Sequence, residues 1–463
     1  MIKLSPGQHI HLIGIGGAGL SAIARILLQR GFAVSGSDLR SSEITAALQD
    51  EGARIYRGHH ADYVAGADVV LMSSAVADEH VELRAARAKG IPIVKRNQFL
   101  APLLAGHRTI AVAGTHGKTT TTAMIVHILQ QAGEDPSYIV GGTMGNTGRN
   151  AGVGAGQSFV IEADEYDNMF LGLRPHIAVV TNVEHDHPDY FRTAQDQLSA
   201  FARFADLVPA SGTLVACSDD SGAVSLMRER KARMLSTLSY GIDDACAEWR
   251  ATALVYSENE TRARILKNGV FLGHLALQIP GAHNIVNALA ATIVADLQGV
   301  GFDMSSAALA IFKGAERRFE IRGIRDDVII VDDYAHHPTE IRVNIQAARA
   351  RYPRHQVWAV WQPHTYSRIR QFLPDFLRAF DAADQVMITP IYAAREDPIP
   401  GISSPMLVES MTHHPSARYA PSFEHAVACL RREIAGPTVV LICSAGDANR
   451  IADLYLAYQD SSL

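Results

Sequence analysis

The segment AVAGTHGKTTTT at residues 111–122 contains residue types that together bind phosphate groups. Its glycines permit a tight turn, and Lys118 and Thr119 stand where a helix would begin after that turn. Backbone N–H groups of such a turn bind phosphates, the lysine neutralises β- and γ-phosphates, and the hydroxyl binds Mg²⁺. The full G-x-x-x-x-G-K-[ST] pattern is not present, because Val112 stands at its first position. The alternative is a glycine turn that binds no ligand. Such a turn would not need a lysine directly after its last glycine, where Lys118 stands.

A different glycine-rich segment, HIHLIGIGGAGLSAIA, opens the chain. Residues 14–19 match G-x-G-x-x-G after a strand-like run and before a helix-like run, an arrangement that binds a diphosphate at a helix N-terminus. Asp38 ends the second strand-like run, where an acidic residue commonly contacts a ribose hydroxyl. The motif therefore predicts a diphosphate joined to a ribose, which both NAD and a UDP-sugar contain. Glycines that serve only close strand–helix packing are the alternative.

Acidic and imidazole side chains follow two later apolar runs, FVIEADEYD and IAVVTNVEHDH. Hard cations prefer oxygen ligands, and few of these come from protein when phosphates supply the rest. We expect one carboxylate and one imidazole from neighbouring strand ends to suffice, although solvated loop charges or helix caps are the alternative for any single member. The candidates are Glu162, Asp164, Glu165, Asp167, Glu184, His185, Asp186 and His187.

These motifs can form one site only if the strands before them end at the same edge of a sheet. The order of apolar and helix-like segments along the chain predicts such strands. Short apolar runs alternate with helix-like stretches throughout, which predicts an α/β fold with parallel sheets. The pattern restarts twice, so we expect three domains. They are an N-terminal Rossmann-like domain at 1–107, a central P-loop domain at 108–320, and a C-terminal Rossmann-like domain at 321–463.

Composition excludes several classes of function. The chain of 463 residues has a net charge of −6, which provides no basic field for nucleic acid. No apolar run reaches the roughly eighteen residues that a membrane-spanning helix needs. The 4 cysteines are scattered and fit neither a zinc site nor a disulfide framework. We therefore expect a cytoplasmic protein without nucleic-acid or membrane partners.

The motifs together resemble those of the Mur ligases, and within that family the branch that adds the first amino acid. GIGGAGLS, AGTHGKTTTT, EADEYD, TNVEHDHPDY, GAHNIVNALAA, RRFE, DDYAHHPTE, QPHTYSR, IYAAREDPIPG and SAGD occur in the family's order from end to end. The resemblance implies an ATP- and Mg²⁺-dependent ligase that joins L-alanine to the lactyl carboxylate of UDP-N-acetylmuramate. The first glycine loop would then bind the UDP-sugar, and the second would bind ATP.

The resemblance also implies a role for individual residues. The UDP-sugar would contact Gly14, Gly16, Gly17, Ala18, Gly19, Asp38, Ser73 and Ser74. ATP would contact Gly114, Thr115, His116, Gly117, Lys118, Thr119, Thr120, Asn284, Asn287 and Arg317. Metal ligands would be Thr119, Glu162 and His187. Tyr334, His336 and Arg368 would bind the amino acid, and Lys118, His336 and Arg368 would be catalytic. Without the family, the arginines Arg317, Arg318 and Arg368 could be surface charges, and His336 and His337 could cap a helix before Pro338.

The sequence departs from the family pattern at two positions. Ser444 stands where Gly-Ala-Gly-Asp usually begins, which puts any special backbone conformation there in question. Thr365 stands where some members have a second arginine, so amino-acid binding would depend on Arg368. In addition, no lysine occurs between Lys118 and Lys231, whereas the later-acting ligases use a carbamylated lysine in the central domain. That absence agrees with the alanine-adding branch.

The implied mechanism passes through an acyl phosphate, which the amino group then attacks, with His336 as a possible base. Three alternatives stay open at this point. They are a ligase that attaches a preformed tripeptide to the same UDP-sugar, an NAD-dependent oxidoreductase, and a catalytically silent ATP sensor. The expected partners are small molecules only, and the expected oligomeric state is a monomer or weak homodimer.

Overall fold

The computed structural model describes residues 4–73, 76–414 and 416–457. The helices are α1 (Ala18–Gln29), α2 (Glu43–Asp50), α3 (Val81–Ala88), α4 (Arg96–Leu103), α5 (Lys118–Gln131), α6 (Ala194–Asp206), α7 (Ser221–Ala232), α8 (Ala282–Leu297), α9 (Phe302–Ala310), α10 (Pro338–Arg351), α11 (Tyr366–Arg378), α12 (Ser404–Ser410), α13 (Phe423–Glu433) and α14 (Arg450–Ala457). Short 3₁₀ segments lie at Ala61–Val64 and Tyr166–Gly172.

The strands are β1 (His9–Ile13), β2 (Ala33–Asp38), β3 (Arg54–Arg57), β4 (Val69–Met72), β5 (Ile93–Lys95), β6 (Arg108–Ala113), β7 (Ser137–Met144), β8 (Arg149–Gly152), β9 (Ser158–Glu162), β10 (Ile177–Val180), β11 (Thr213–Cys217), β12 (Thr237–Gly241), β13 (Trp249–Tyr256), β14 (Thr261–Lys267), β15 (Val270–Leu277), β16 (Glu320–Arg325), β17 (Val328–Asp333), β18 (Gln356–Trp361), β19 (Gln385–Ile388), β20 (Ala417–Tyr419) and β21 (Thr438–Cys443).

The first sheet contains β1 to β5 in the order β3-β2-β1-β4-β5, and its strands are parallel. The strand order changes direction between β1 and β4, which is the position where ligands bind in open parallel sheets. The adjacent side chains of Leu12 and Ile13, which point to opposite faces of the sheet, are both fully buried, as expected for a strand covered on both faces. The first glycine loop follows β1 and therefore lies at this switch point.

In the next sheet, the central strand β6 pairs in parallel with β10 on one side and β9 on the other. The strands from β6 to β12 follow the order β12-β11-β10-β6-β9-β7-β8, with β8 antiparallel at the edge. The second glycine loop follows β6, and the acidic segment at 162–167 follows β9. Parallel pairing thus places both segments at the carboxyl end of adjacent strands, as predicted.

The remaining strands lie toward the carboxyl terminus. Strands β14 and β15 form an antiparallel pair. Strands β17 to β21 form a parallel sheet in the order β17-β21-β18-β19-β20, and β16 joins it antiparallel to β17. Its two faces are covered by apolar clusters around Trp361 and Trp358 respectively. The predicted α/β class with parallel sheets is confirmed.

The chain folds into two compact units. The first contains Met1–Val183, Leu198–Trp249 and Ala290–Ala308, and the second contains Glu184–Gln197, Arg250–Leu289 and Leu309–Leu463. The domain boundaries at 107/108 and 320/321 remain predictions. Across the described residues, no helix is both long enough and apolar enough to cross a membrane.

Candidate active site

The first glycine loop is held by backbone hydrogen bonds to the end of β2. The N–H groups of Gly14 and Ile15 donate to the carbonyl of Ser37 at 2.8 and 3.1 Å. Gly14 has a φ of +83°, which a residue with a side chain rarely adopts. The N–H of Gly16 donates to Asp38 Oδ2 at 3.0 Å, and a Cβ on Gly16 would lie 2.9 Å from that oxygen. The structure therefore brings the predicted acidic residue directly onto the loop.

Other predicted UDP-sugar residues surround this loop. Gly17 is the N-cap of α1, and Ala18 and Gly19 begin the helix. Ser73 lies beside Gly14, because a Cβ on Gly14 would be 3.3 Å from the Ser73 Cβ. Ser74, which was also predicted, lies outside the described residues. The arrangement fits a diphosphate at a helix N-terminus.

Sequence reasoning missed Arg96, the first residue of α4. A Cβ on Gly19 would lie 2.8 Å from Arg96 Cζ, so the guanidinium packs directly against the first turn of α1. Arg96 Nη2 donates to Asp164 Oδ2 at 3.3 Å. This one side chain connects the first loop with the acidic segment after β9. The sequence run IPIVKR gives no local signal of such a role.

The second glycine loop folds tightly around Lys118. The ammonium donates to the carbonyls of Gly114 and Thr115 at 2.5 and 3.0 Å, and to Glu165 Oε1 at 2.9 Å. Burial acts to lower the Lys118 pKa, but the carboxylates of Glu165, Glu162 and Asp164 outweigh it and raise the pKa. The lysine is therefore positively charged at neutral pH.

The loop is also fixed from the segment that follows β10. His116 N–H donates to Asn182 Oδ1 at 2.8 Å, and Thr181 Oγ1 donates to the His116 carbonyl at 2.6 Å. A Cβ on Gly114, whose φ is +143°, would lie 3.0 Å from the Thr181 Cβ. Thr115 and Thr120, both predicted to contact ATP, are buried beside it, and Gly117 is the N-cap of α5 with a φ of +80°. These hydrogen bonds and close contacts fix the shape of the loop.

Two of the three predicted metal ligands lie together in the first unit. Thr119 Oγ1 donates to Glu162 Oε1 at 3.1 Å, and the Gly141 N–H donates to Glu162 Oε2 at 2.7 Å. A hydroxyl and a carboxylate at this separation provide the oxygen donors that Mg²⁺ prefers. The third, His187, lies in the second unit in a backbone conformation with a φ of +54°. Its backbone N–H donates to Asp186 Oδ1 at 2.7 Å.

In the second unit, Arg368 forms a buried ion pair with Asp186. Arg368 Nε and Nη2 donate to Asp186 Oδ1 at 3.0 and 2.8 Å, and each of the two side chains is 5% exposed. Burial would raise the Asp186 pKa, but Arg368 and the neighbouring His187, His336 and His337 hold it well below its usual range. The alternative interpretation of Arg368 as a surface charge is therefore wrong.

Three aromatic side chains complete this cluster. His336 Nε2 lies 3.9 Å from Asp186 Oδ2, and its Nδ1 forms a hydrogen bond of 2.9 Å with the Tyr334 carbonyl. His364 Nδ1 lies 2.9 Å from Arg368 Nη1. Burial lowers the pKa of His336 to about 4 and that of His364 to about 3. The predicted amino-acid residues are thus brought together, with Asp186 and His364 as partners that sequence reasoning had not assigned to them.

The paired histidines His336 and His337 have different roles in the structure. His337 is the N-cap of α10, since its Nδ1 accepts from the Thr339 N–H at 3.3 Å. His336 instead forms its contacts with Tyr334 and Glu340 and with the Asp186 carboxylate. Helix capping is therefore confirmed for His337 and does not account for His336.

The remaining predicted ATP residues are in the second unit. Arg317 Nε donates to Asp332 Oδ2 at 3.1 Å, and its Nη groups donate to the carbonyls of Ser444 and Gly446. It is thus not a solvated surface arginine. Asn284 and Asn287 are buried on one face of α8, where Asn287 Nδ2 donates to Asn284 Oδ1 at 3.2 Å. Their contact with a nucleotide remains a prediction.

The two departures from the family pattern have clear local consequences. Ser444 does not have a positive φ, and its hydroxyl donates to Gln362 Oε1 at 2.6 Å, so a side chain fits there. Thr365 precedes α11 with a φ of +59° and a ψ of 141°, which is rare for a β-branched residue. Such strain commonly occurs at functional sites. Here it lies three residues before Arg368, at the start of the helix that carries the guanidinium.

Comparison with known families agrees with these features. The family model described as "Mur ligase family, catalytic domain" matches residues 9–108, "Mur ligase middle domain" matches 112–295, and "Mur ligase, glutamate ligase domain" matches 317–446. A UDP-N-acetylmuramate–L-alanine ligase of Renibacterium salmoninarum is 44% identical over 96% of this chain and 95% of its own length. The enzyme with the same name from Caldanaerobacter subterraneus is 40% identical over 98% of both chains.

Solved structures give the same result. The UDP-N-acetylmuramate-alanine ligase of Thermotoga maritima superimposes with a TM-score of 0.83 at 28% identity, covering 97% of this chain and 98% of that one. A murein peptide ligase of Psychrobacter arcticus has a TM-score of 0.72 at 24% identity, with coverage of 97% and 98%, and therefore shows likeness of fold alone.

Proposed function

Because the chain belongs to the Mur ligase family, we propose that it is an ATP-dependent ligase that joins L-alanine to the lactyl carboxylate of UDP-N-acetylmuramate. The products are the UDP-N-acetylmuramoyl-alanine amide, ADP and phosphate, in the synthesis of peptidoglycan precursors. The observation that carries the proposal is the glycine loop around Lys118, whose ammonium donates to two loop carbonyls and to the Glu165 carboxyl group. An oxidoreductase would have no use for such a loop.

The first step activates the carboxylate, because a carboxylate is a poor electrophile. One lactyl carboxylate oxygen attacks the γ-phosphorus of ATP, the bond to the β–γ bridging oxygen breaks, and ADP leaves. Lys118 is held charged by Glu165, so it stabilises the negative charge of the transferring phosphoryl group. Mg²⁺ held by Thr119, Glu162 and His187 would neutralise charge on the β- and γ-phosphates when bound.

The second step forms the amide. The neutral amino group of alanine attacks the acyl carbon, and inorganic phosphate leaves with the oxygen that came from the carboxylate. His336 is the candidate acceptor of the proton that the amine loses, because its ring lies beside the Asp186–Arg368 pair. Arg368 binds the alanine carboxylate, and Asp186 fixes the orientation of its guanidinium.

The other substrate contacts follow from the two loops. The first loop binds the UDP-sugar through the N–H groups at the start of α1, and Asp38 contacts the ribose. Asn284 and Asn287 approach the adenine, and Arg317 faces the ATP phosphates.

We place the enzyme in the cytoplasm as a monomer or weak homodimer. The free cysteines Cys217, Cys246, Cys429 and Cys443 support a reducing compartment.

A phosphate-release assay tests the proposal directly. The purified chain is incubated with ATP, Mg²⁺ and UDP-N-acetylmuramate, and each amino acid or the preformed tripeptide is added in turn. We expect phosphate release to depend on both the UDP-sugar and L-alanine, with the amide product visible by mass spectrometry. Preference for the tripeptide would favour the recycling ligase. ATP binding without phosphate release in any mixture would favour a sensor, and hydride transfer with NAD would contradict the proposal.

A further inference from the structure

A second cluster of ligating side chains lies under the first glycine loop and takes no part in the ligation chemistry described above. At its centre is Glu82, in the first turn of α3, whose side chain is fully buried. Burying a carboxylate is costly unless its oxygens are satisfied by strong partners. Here three imidazoles, those of His11, His59 and His80, surround it.

The two oxygens of Glu82 have different environments. Oε2 accepts from His11 Nε2 at 2.8 Å and from Ser37 Oγ at 2.9 Å, and both of these partners are buried. Oε1 lies 2.8 Å from His59 Nδ1. One oxygen is therefore fixed by the protein core, while the other points toward histidines that are only half-buried. A metal-binding carboxylate is commonly oriented by hydrogen bonds in this way.

The rings of the two half-buried histidines lie together beside Glu82. The rings of His59 and His80 pack edge to face with their centroids 4.3 Å apart. One ligand atom from each of His59, His80 and Glu82 lies within 4.8 Å of the other two. Bonds of about 2.1 Å in a tetrahedral zinc site place ligands about 3.4 Å apart. A bound metal therefore requires the partly exposed rings of His59 and His80 to shift toward that separation.

From this geometry we propose that His59, His80 and Glu82 bind one divalent cation of the zinc and cobalt class. Two imidazole nitrogens and one carboxylate oxygen suit these metals, whereas Mg²⁺ and Ca²⁺ prefer oxygen ligands. Water completes the coordination from the open side.

The site has a direct connection to the first glycine loop. Ser37 donates its hydroxyl to Glu82, and its carbonyl accepts from the N–H groups of Gly14 and Ile15. A cation that fixes Glu82 therefore stabilises the strand end on which the loop is built. We expect this binding to need neither ATP nor the UDP-sugar, so the site can be tested independently of the proposed ligase activity.

The test is a titration of the full-length protein with Co²⁺, in excess Mg²⁺ so that oxygen-rich sites are filled. His80→Asn removes the imidazole but keeps an N-cap acceptor for α3. His60→Asn is the matched control, because His60 caps the 3₁₀ segment at Ala61–Val64 in the same way and is exposed. We expect the wild type and His60→Asn to show the visible absorption of tetrahedral Co²⁺, which Zn²⁺ displaces, and His80→Asn to bind at least about tenfold more weakly.

A second variant distinguishes ligation from a structural role of His80. His80→Cys replaces one zinc ligand by another, and we expect a thiolate-to-cobalt charge-transfer band that neither the wild type nor His60→Asn shows. We also expect Zn²⁺ to raise the melting temperature of the wild type and of His60→Asn, but not of His80→Asn. Equal cobalt spectra for wild type and His80→Asn, or His80→Cys without the charge-transfer band, would overturn the proposal.

Discussion

Two ion pairs, Lys118–Glu165 in the first unit and Arg368–Asp186 in the second, are constructed differently. Lys118 contacts two carbonyls of its own loop, and its side chain is 15% exposed. The Nε and Nη2 groups of Arg368 instead both donate to the carboxylate of Asp186, which is 182 residues away in the sequence. That pair is almost completely buried.

The difference in construction indicates a difference in role. A partly exposed cation on a preformed loop can exchange its carboxylate partner for phosphate oxygens with little rearrangement. A buried guanidinium with two hydrogen bonds to one carboxylate has a fixed direction, so only its remaining N–H groups can orient a ligand. Removing one member of such a pair leaves a charge without compensation in the protein interior. Substitutions at the two centres should therefore have different consequences.

The largest effect is expected from Lys118→Ala. Removing a preorganised charge from a phosphoryl-transfer site costs about 3 kcal/mol or more, so we expect ligation to fall at least about a hundredfold. The substitution does not change the first glycine loop. We therefore expect calorimetry to show unchanged binding of UDP-N-acetylmuramate. Phosphate release measures the catalytic defect.

Lys231→Ala is the matched control, because Lys231 is exposed at the end of α7. We expect it to retain full activity. A loss of less than tenfold in Lys118→Ala would mean that Lys118 does not contact the transferred phosphoryl group.

The next effect concerns the buried pair. Arg368→Lys keeps the charge but cannot form the two-nitrogen contact with Asp186, so the direction of the side chain is lost. We expect the Michaelis constant for L-alanine to rise at least about tenfold, that for ATP to stay nearly unchanged, and some ATP hydrolysis to become uncoupled from ligation. Steady-state kinetics with each substrate varied in turn measures this.

The control is Arg378→Lys, at the exposed end of the same helix α11. A rise in the ATP constant with an unchanged alanine constant would assign Arg368 to the nucleotide site. Equal Michaelis constants for Arg368→Lys and Arg378→Lys would show that Arg368 contacts neither L-alanine nor ATP.

The same contrast explains what could be predicted from the sequence. The Lys118 loop and the approach of Asp38 to Gly16 depend on short spacings within strand–loop–helix units, where local geometry is nearly fixed. The Arg368–Asp186 pair depends on how distant segments pack, which no local pattern specifies. Arg96 was missed for the same reason, since its two contacts lie on separate elements. Helix capping by His337, which the sequence offered only as an alternative for His336 and His337 together, depends on just the next three residues.

A smaller effect is expected at the first loop. Asp38→Ala removes the acceptor of the Gly16 N–H and the proposed ribose contact. A hydrogen bond to a charged group contributes about 1.5–3 kcal/mol, so we expect UDP-N-acetylmuramate affinity to fall about tenfold with the ATP constant unchanged. Calorimetry measures the affinity, and Asp50→Ala at the exposed end of α2 is the control. A gain in affinity would mean that Asp38 competes with the diphosphate for Gly16.

The smallest effect concerns the pH dependence of the buried centre. Burial lowers the His336 pKa to about 4 from an ordinary value of 6.5. As the pH falls below about 6.5, the unfolded chain binds a proton at this position that the folded chain does not bind until about pH 4. The free energy of unfolding therefore falls over that window. In His336→Asn this contribution is absent, so we expect its stability to decrease less between pH 7 and pH 5, by roughly 1–2 kcal/mol. Urea unfolding of both proteins at the two pH values measures the difference. An equal decrease in both would show that His336 titrates near its ordinary value and that the centre around Asp186 is more accessible to water than its burial indicates.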